Sequence, residues 1–338
     1  MKATIKADKK DPKESTRGFW DSLSRPIITL APMADVTDAA FRRIIAKYGK
    51  PPVMFTEFVS CDGLCSEKGR PNLLHDLIYH ETERPIVAQI FGDKPENFRE
   101  TAELLAEMKF DGIDINMGCP TKTVVRQGSG AALIKTPELA KKIIRATKEG
   151  AGDLPVSVKT RIGFSKIEID EWMEALLEAK PAAITLHLRT RKEMSKVEAH
   201  WEIIHRAAEL AKGTGILVLG NGDVDTLERA EDLALETGID GVMLGRAIFG
   251  NPWLFNRSRK TEDVSFEERL EVALEHARDY EELFSGKKSF LLMRKHLKAY
   301  VSGFEGAKDF RIRLEDVNNF SDTKSLVNQL RESYISVK

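Results

Sequence analysis

Cysteine is scarce in this sequence: Cys61, Cys65 and Cys119 are the only three in 338 residues. A small, odd number excludes a disulfide framework and fits a reducing, cytoplasmic setting. The pair in "SCDGLCS", with His75 and His80 downstream, lacks the doubled, closely spaced ligands of a zinc site, so no metal is expected. Long apolar runs are missing as well. None approaches the roughly 20 residues that a membrane helix needs, so no membrane association is expected. The opening "MKATIKADKKDPKESTRG" is lysine-rich without an apolar stretch, which excludes a secretory signal; residues 1–22 read as a flexible leader. Net charge is close to absent at −1, so bulk charge does not draw the chain to polyanions. There is no internal repeat, no low-complexity segment and no G-x-G-x-x-G fingerprint of a resident dinucleotide.

What is present is a repeating order of short apolar runs and helical patterns. Hydrophobic residues make up 42% of the chain, enough for one large core with a smaller domain beside it. Eight β-branched runs end in turn residues: "PIITLAP", "VMFTEF", "PIVAQIFG", "GIDINMG", "VSVKTRIG", "AITLHLR", "ILVLGNG" and "GVMLGRA". Between them lie stretches such as "NFRETAELLAEMKF" and "PELAKKIIRATKEG", with apolar residues at helical spacing. Nearly continuous apolar strands alternating with helices imply parallel strands buried on both faces. Eight units in about 230 residues predict an α/β fold, a (β/α)8 TIM barrel over residues 23–258, with its active site at the strands' C-terminal ends. Met33, Glu57, Gln89, Asn116, Lys159, His187, Asn221 and Arg246 all fall at or just past such an end.

From residue 259 the pattern becomes helical only, predicting a small all-helical C-terminal domain over 259–338. "SFEERLEVALEHARDYEELFSG" starts on Ser265 and stops at Gly286, and "KKSFLLMRKHLKAYVSGF" follows. The second helix places Phe290, Met293, Leu297, Tyr300, Val301 and Phe304 on one face. Charge is split along this tail. Residues 262–282 hold nine acids against two bases, and residues 287–313 hold eight bases against two acids, so a local basic patch sits in a neutral chain.

The rim residues carry the chemistry. "LGNGDV" and "LGRAIFGNPW" close the last two strands, where this barrel commonly binds phosphate; Gly220, Asn221, Gly222, Gly245 and Arg246 look like a phosphate cradle. Lys159 ends a buried strand and needs an anionic or acceptor partner. A Schiff base, a phosphate contact, or support of negative charge on a flavin all fit it. Gln89 suits an imide edge, and "LAPMA" offers backbone and a thioether beneath a planar ring. Together these point to FMN in the barrel mouth. Cys119, in "DINMGCPTK", lies one loop away. An isolated thiol titrates at about 8.5, which makes it a general acid as well as a latent nucleophile. Gly128 and Gly130 in "VVRQGSGAAL" would permit a mobile loop over substrate.

"LAPMADVTDAAFR", "TEFVSCDGL", "VAQIFG", "IDINMGCPTKTVVRQGSGAALI", "VKTRIGF", "LHLRTR", "GNGDV" and "GVMLGRAIFGNPWLF" resemble the tRNA-dihydrouridine synthase family, nearest its bacterial branch, across residues 26–256. The resemblance implies an FMN-dependent, NADPH- or NADH-driven reduction of the C5=C6 bond of uridines in tRNA. It implies FMN bound by Pro32, Met33, Ala34, Gln89, Lys159, His187, Asn221, Gly222, Asp223, Gly245 and Arg246, and Cys119 as the acid that protonates C5. Asn116 would position uracil or flavin. The helical tail would bind tRNA through Arg294, Lys295 and Lys298. No stable protein partner is implied, and a monomer is expected. The chain departs from the family at Leu188, where a glycine is usual, and in "RTRKEMSKVEAHW", which clouds Arg189 and Arg191 as substrate contacts. An FMN barrel acting on a small molecule, a Lys159 aldolase and a tRNA-binding chaperone with a vestigial barrel are the competing readings.

Overall fold

In the computed structural model, which describes residues 17–301 and 307–335, all eight expected strands form and all run parallel. They are β1 (Ile27–Leu30), β2 (Met54–Ser60), β3 (Ile86–Phe91), β4 (Gly112–Met117), β5 (Val156–Arg161), β6 (Ala183–His187), β7 (Leu217–Asn221) and β8 (Gly241–Leu244). Seven ladders join them in the order β1-β8-β7-β6-β5-β4-β3-β2, and the sheet curls until its ends meet. At that seam Thr29 Oγ1 donates to the Val53 carbonyl at 2.6 Å. The strands are short and β-branched because each is buried on both faces, against the interior and against the helices.

Among the described residues six regular helices cover the barrel: α1 (Ala39–Tyr48), α2 (Pro95–Glu107), α3 (Pro137–Ala151), α4 (Ile169–Ala179), α5 (Ile204–Ala211) and α6 (Leu227–Thr237). The stretches with helical periodicity form α2 to α6, "NFRETAELLAEMKF" in α2, "PELAKKIIRATKEG" in α3, "DEWMEALLEAK" in α4, "WEIIHRAAELAK" in α5 and "TLERAEDLALETG" in α6. The sixth, α1, is started by Asp38, whose side chain accepts from the Phe41 N–H at 3.0 Å. It buries Phe41, Ile44 and Ile45.

Residues 18–22 are not a leader. They form a helical turn whose Trp20 is buried with Ile27, Val53, Val87 and Leu217, near the N-terminal ends of the strands. Apolar area outweighs the polarity of the neighbouring sequence. Residues 1–16 lie outside the described residues, as does Phe304.

The tail folds into α7 (Phe266–Phe284), α8 (Met293–Tyr300), α9 (Ala307–Arg313) and α10 (Phe320–Ile335). It packs on α1: Leu270, Ala273, Ala277, Tyr280, Leu297 and Tyr300 share one apolar cluster with Ala39, Ala40, Ile44 and Trp253 of the barrel. His276 and His296 lie inside this contact. Their rings stand 4.8 Å apart beside Phe41, and burial keeps both pKa values below the ordinary histidine range. No helix among the described residues is long and apolar enough to cross a membrane.

Candidate active site at the barrel mouth

The C-terminal ends of β1, β5, β6, β7 and β8 surround a cavity of about 280 Å³. Pro32, Met33, Lys159, His187, Asn221, Gly222, Asp223, Gly245 and Arg246 line it, so nine of the twelve expected cofactor and catalytic residues meet around one space. Ala34 is exposed outside it, and Gln89 and Cys119 belong to a neighbouring cluster.

At the β7 and β8 side the backbone is prepared for an anion. Among the described residues, the N–H groups of Gly222, Asp223, Gly245 and Arg246 donate to no other group of the chain. Gly222 has φ +137°, a conformation that L side chains rarely adopt, and a Cβ there would stand 2.8 Å from the Ala199 side chain. Asp223 does not serve the cradle as an acceptor would. Its carboxylate is held by Arg189, by Arg246 Nη2 at 3.0 Å and by the Ala199 N–H at 2.9 Å, so it orients two guanidinium groups. Those hydrogen bonds, Arg189 first, hold its pKa below the usual carboxylate range.

Lys159 donates to Asn221 Oδ1 at 3.0 Å, and Asn221 Nδ2 donates to the Met243 carbonyl at 2.7 Å. Burial, then the nearby Arg161 charge, pushes the Lys159 pKa down to about 8. His187 is lowered further, to about 2, by burial and then by Lys159, Arg161, Arg189 and Arg246. It is therefore a neutral imidazole. Arg189 Nη1 lies 3.2 Å from its Nε2, which makes Nε2 the acceptor and leaves the proton on Nδ1.

Beside this cavity, β3 and β4 carry a chain of buried amides. Ser157 Oγ and Gln89 Nε2 each donate to Asp114 at 2.6 Å, Asn116 Nδ2 donates to Gln89 Oε1 at 3.0 Å, and Asn116 Oδ1 accepts the N–H groups of Gly118 and Cys119 at 3.1 and 2.9 Å. Asp114 is raised to about 6 by burial, against those two hydrogen bonds. The expectation that Gln89 reads an imide edge is thus redirected, since both ends of its amide bind within the chain. Asn116 likewise spends its carbonyl on the loop that carries Cys119.

That loop is folded rather than free. Cys119 is 8% exposed, its Sγ donates to Thr121 Oγ1 at 3.4 Å, and its carbonyl accepts the Ala131 N–H at 3.1 Å. Gly130, at φ +59°, lets the return strand pass: a Cβ there would stand 2.9 Å from the Cys119 carbonyl oxygen. Ala131 and Leu133 are fully buried. Of the two glycines expected to act as hinges, Gly130 is needed for close packing and Gly128 for its left-handed backbone, at φ +79°.

Two further residues change the sequence reading. Leu188 is fully buried in the barrel's outer core and does not line the cavity, so its replacement of a glycine leaves the site's width alone. Arg161 was passed over. It is 6% exposed, donates through Nε to the Gly118 carbonyl at 2.8 Å and through Nη1 to the carbonyls of Thr190 and Met194. Burial, then Arg189, lowers its pKa to about 10. Its signal in the sequence was an arginine two residues beyond Lys159, on the same face of β5.

The tail cations lie elsewhere. Arg294 donates to the Val317 carbonyl and to Asn318 Oδ1 at 2.9 and 3.0 Å, and Lys298 pairs with Glu315. Lys295 is lowered by burial and raised by Asp35, Glu57 and Asp38, so it faces the acidic side of the barrel rim. Its neighbour Lys288 bridges Glu57 at 2.7 Å and Asp76 at 2.6 Å. Lys288 and Lys295 face carboxylates of the barrel because the tail packs on the part of the rim that carries Asp35, Asp38, Glu57 and Asp76, whereas Arg294 and Lys298 find their partners within the tail itself. His75, His80, Cys61 and Cys65 form no metal cluster among the described residues.

The family model described as dihydrouridine synthase matches residues 29–335, both barrel and tail. The chain belongs to the dihydrouridine synthase family. A probable tRNA-dihydrouridine synthase of Staphylococcus aureus (strain COL) is 41% identical over 319 residues, covering 92% of this chain and 95% of the relative. The probable tRNA-dihydrouridine synthase 2 of Bacillus subtilis (strain 168) is 39% identical over 325 residues, covering 95% and 98%. Among solved structures, histamine dehydrogenase from Rhizobium sp. 4-9 aligns with TM-score 0.53 at 15% identity, over 75% of this chain and 49% of that one. A 2-naphthoyl-CoA reductase aligns with TM-score 0.52 at 12% identity, over 69% and 49%. These two likenesses concern the fold of this dihydrouridine synthase family member and nothing more.

Proposed function

We propose that this enzyme reduces the C5=C6 bond of a uridine in tRNA, with FMN in the barrel mouth and NADPH or NADH as the source of electrons. The observation that carries the reading is the juxtaposition of four backbone N–H groups after β7 and β8, which have no acceptor among the described residues, with a held thiol on the loop after β4, on either side of Lys159. The residues present fit FMN at its phosphate end, where the residues of these four N–H groups and the Arg246 guanidinium line one cavity. Bound FMN supplies a hydride to C6 of the base.

The rest is the work of the chain. Lys159, held by Asn221, brings an ammonium whose charge a bound anion reinforces. His187 enters as a neutral ring, able to donate through Nδ1 but not to repel the cations around it. Asn116 fixes the backbone of Cys119 through two N–H groups, so the thiol stands at a set place when the base arrives. Cys119 donates its proton to C5 as the double bond is lost, and the thiolate regains a proton from water. A uridine within folded RNA must first leave its stack, at a cost of a few kcal/mol that backbone contacts offset. The setting proposed is the cytoplasm, and the chain acts as a monomer.

The internal partners of the tail cations favour a second reading, in which the substrate is a small molecule such as free uridine. Purified protein supplied with FMN, NADPH and unmodified tRNA separates the two. Dihydrouridine should accumulate in tRNA and far more slowly in free uridine. Equal rates on both would overturn the tRNA reading, and no dihydrouridine in either would overturn the activity.

A further inference from the structure

Three loops on one side of the barrel mouth carry cations that no acid among the described residues pairs with. The stretch 118–136, after β4, contains Lys122, Arg126 and Lys135 and no acid. Lys122 and Arg126 are exposed and have no side-chain partner among the described residues. The loop after β5 adds Lys166, and the loop after β6 adds Lys192 and Lys196, all exposed and equally without partners among the described residues. Of the acids nearby, Glu168 accepts the Phe164 N–H at 3.0 Å, and Glu193 is taken by Thr190 and His200. Glu198 alone is left exposed on these loops.

The loops form one surface. The Arg191 and Lys192 N–H groups donate to the carbonyls of Gly163 and Phe164 at 2.9 Å each, which zips the β5 and β6 loops together, while Arg161 ties the β6 loop to Gly118. At the centre stands the half-buried Phe164 ring, with Lys135 Nζ 4.9 Å and Arg191 Cζ 5.4 Å from its centroid. Arg191 Nε is buried and has no acceptor among the described residues. A guanidinium packed on an aromatic ring at the surface is suited to a stacked base, and the exposed lysines around it to the neighbouring phosphates. The surface begins at the loop of Cys119, so a strand lying on it delivers its nucleotides directly to the thiol.

We propose that this surface holds the sugar-phosphate backbone of the RNA on either side of the reacting uridine. The proposal rests on tRNA being the substrate. Its test is tRNA binding measured over a range of salt, together with the KM for dihydrouridine formation, in Lys122→Ala/Arg126→Ala and Lys192→Ala/Lys196→Ala. Each pair of changes should weaken binding and raise KM about tenfold or more, and should lower the slope of log K against log salt by about 1.4 to 1.8. Flavin content and melting temperature should stay at the wild-type value, because the four side chains touch neither cavity nor core. An unchanged slope and KM in an enzyme that still modifies tRNA would overturn the surface and leave the activity standing. Loss of slope in a protein that forms no dihydrouridine would keep the surface and overturn the activity. A wild-type chain that does not bind tRNA would overturn both.

Discussion

Residues 287–313 hold eight bases and two acids, and the loops 118–136, 162–168 and 188–200 together hold eight bases and three acids. By composition the two regions are alike, and in the fold they are opposites. Lys288, Lys295, Arg294 and Lys298 of the tail are turned toward carboxylates and carbonyls of the same molecule. Lys122, Arg126, Lys166, Lys192 and Lys196 of the loops meet no such partner among the described residues. The difference lies in the neighbours. The tail is laid against the β1 and β2 side of the rim, where Asp35, Asp38, Glu57 and Asp76 stand, whereas no element covers the β4 to β6 side with acids. A run of like charge is therefore a docking device in one place and an open surface in the other.

Four measurements can break or sharpen that contrast. The largest effect belongs to the loop side: Cys119→Ala should lower the rate of dihydrouridine formation about 10²- to 10⁴-fold with tRNA affinity unchanged. A variant of normal rate would remove the thiol from the chemistry. On the tail side, Lys288→Met should destabilise the fold by about 3 kcal/mol, seen in denaturant unfolding, because Glu57 and Asp76 lose the ammonium between them. Should the variant instead keep its stability and lose tRNA binding, the tail cation would be an RNA contact after all.

The third concerns pH. Lys159 has a pKa lowered to about 8, so below that value the free protein already carries the ammonium, and above it binding an anion must take up a proton. FMN affinity should be flat below pH 8 and fall by up to about tenfold per unit above it, and Lys159→Met should flatten the profile. A wild-type titration independent of pH from 7 to 10 would show that Lys159 does not face the anion. The smallest effects return to the tail. Arg294→Ala should cost about 1 kcal/mol through its bonds to Val317 and Asn318, and Lys298→Ala less than that, its pair with Glu315 being solvated. Neither should alter the salt dependence of tRNA binding.

The sequence carried the strands well, since burial on both faces leaves a strong apolar signature in each of the eight. It also led to residues that line one cavity, because the C-terminal ends of neighbouring barrel strands share one rim. What it could not carry was pairing between distant residues. Lys288 and Glu57 are 231 positions apart, and nothing local to either announces the other. Leu188 is similar: one step along a strand turns a side chain from cavity to core, and motif comparison does not reveal which step applies. Helix α1 is less legible because its apolar residues, Phe41, Ile44 and Ile45, sit among two arginines and a lysine. Trp20 was overlooked because a polar leader hid a single residue of large area.

Arg161 joins two of these threads. One guanidinium grips the carbonyl of Gly118, next to Cys119, and the carbonyls of Thr190 and Met194 in the loop after β6. The two loops consequently behave as a single rigid bracket rather than as independent flaps. In the proposed reaction, residues 190–196, on which a strand would press, and the loop of the cysteine that would give the proton are joined through three hydrogen bonds of one side chain, so seating a substrate and aiming the proton would be parts of the same movement.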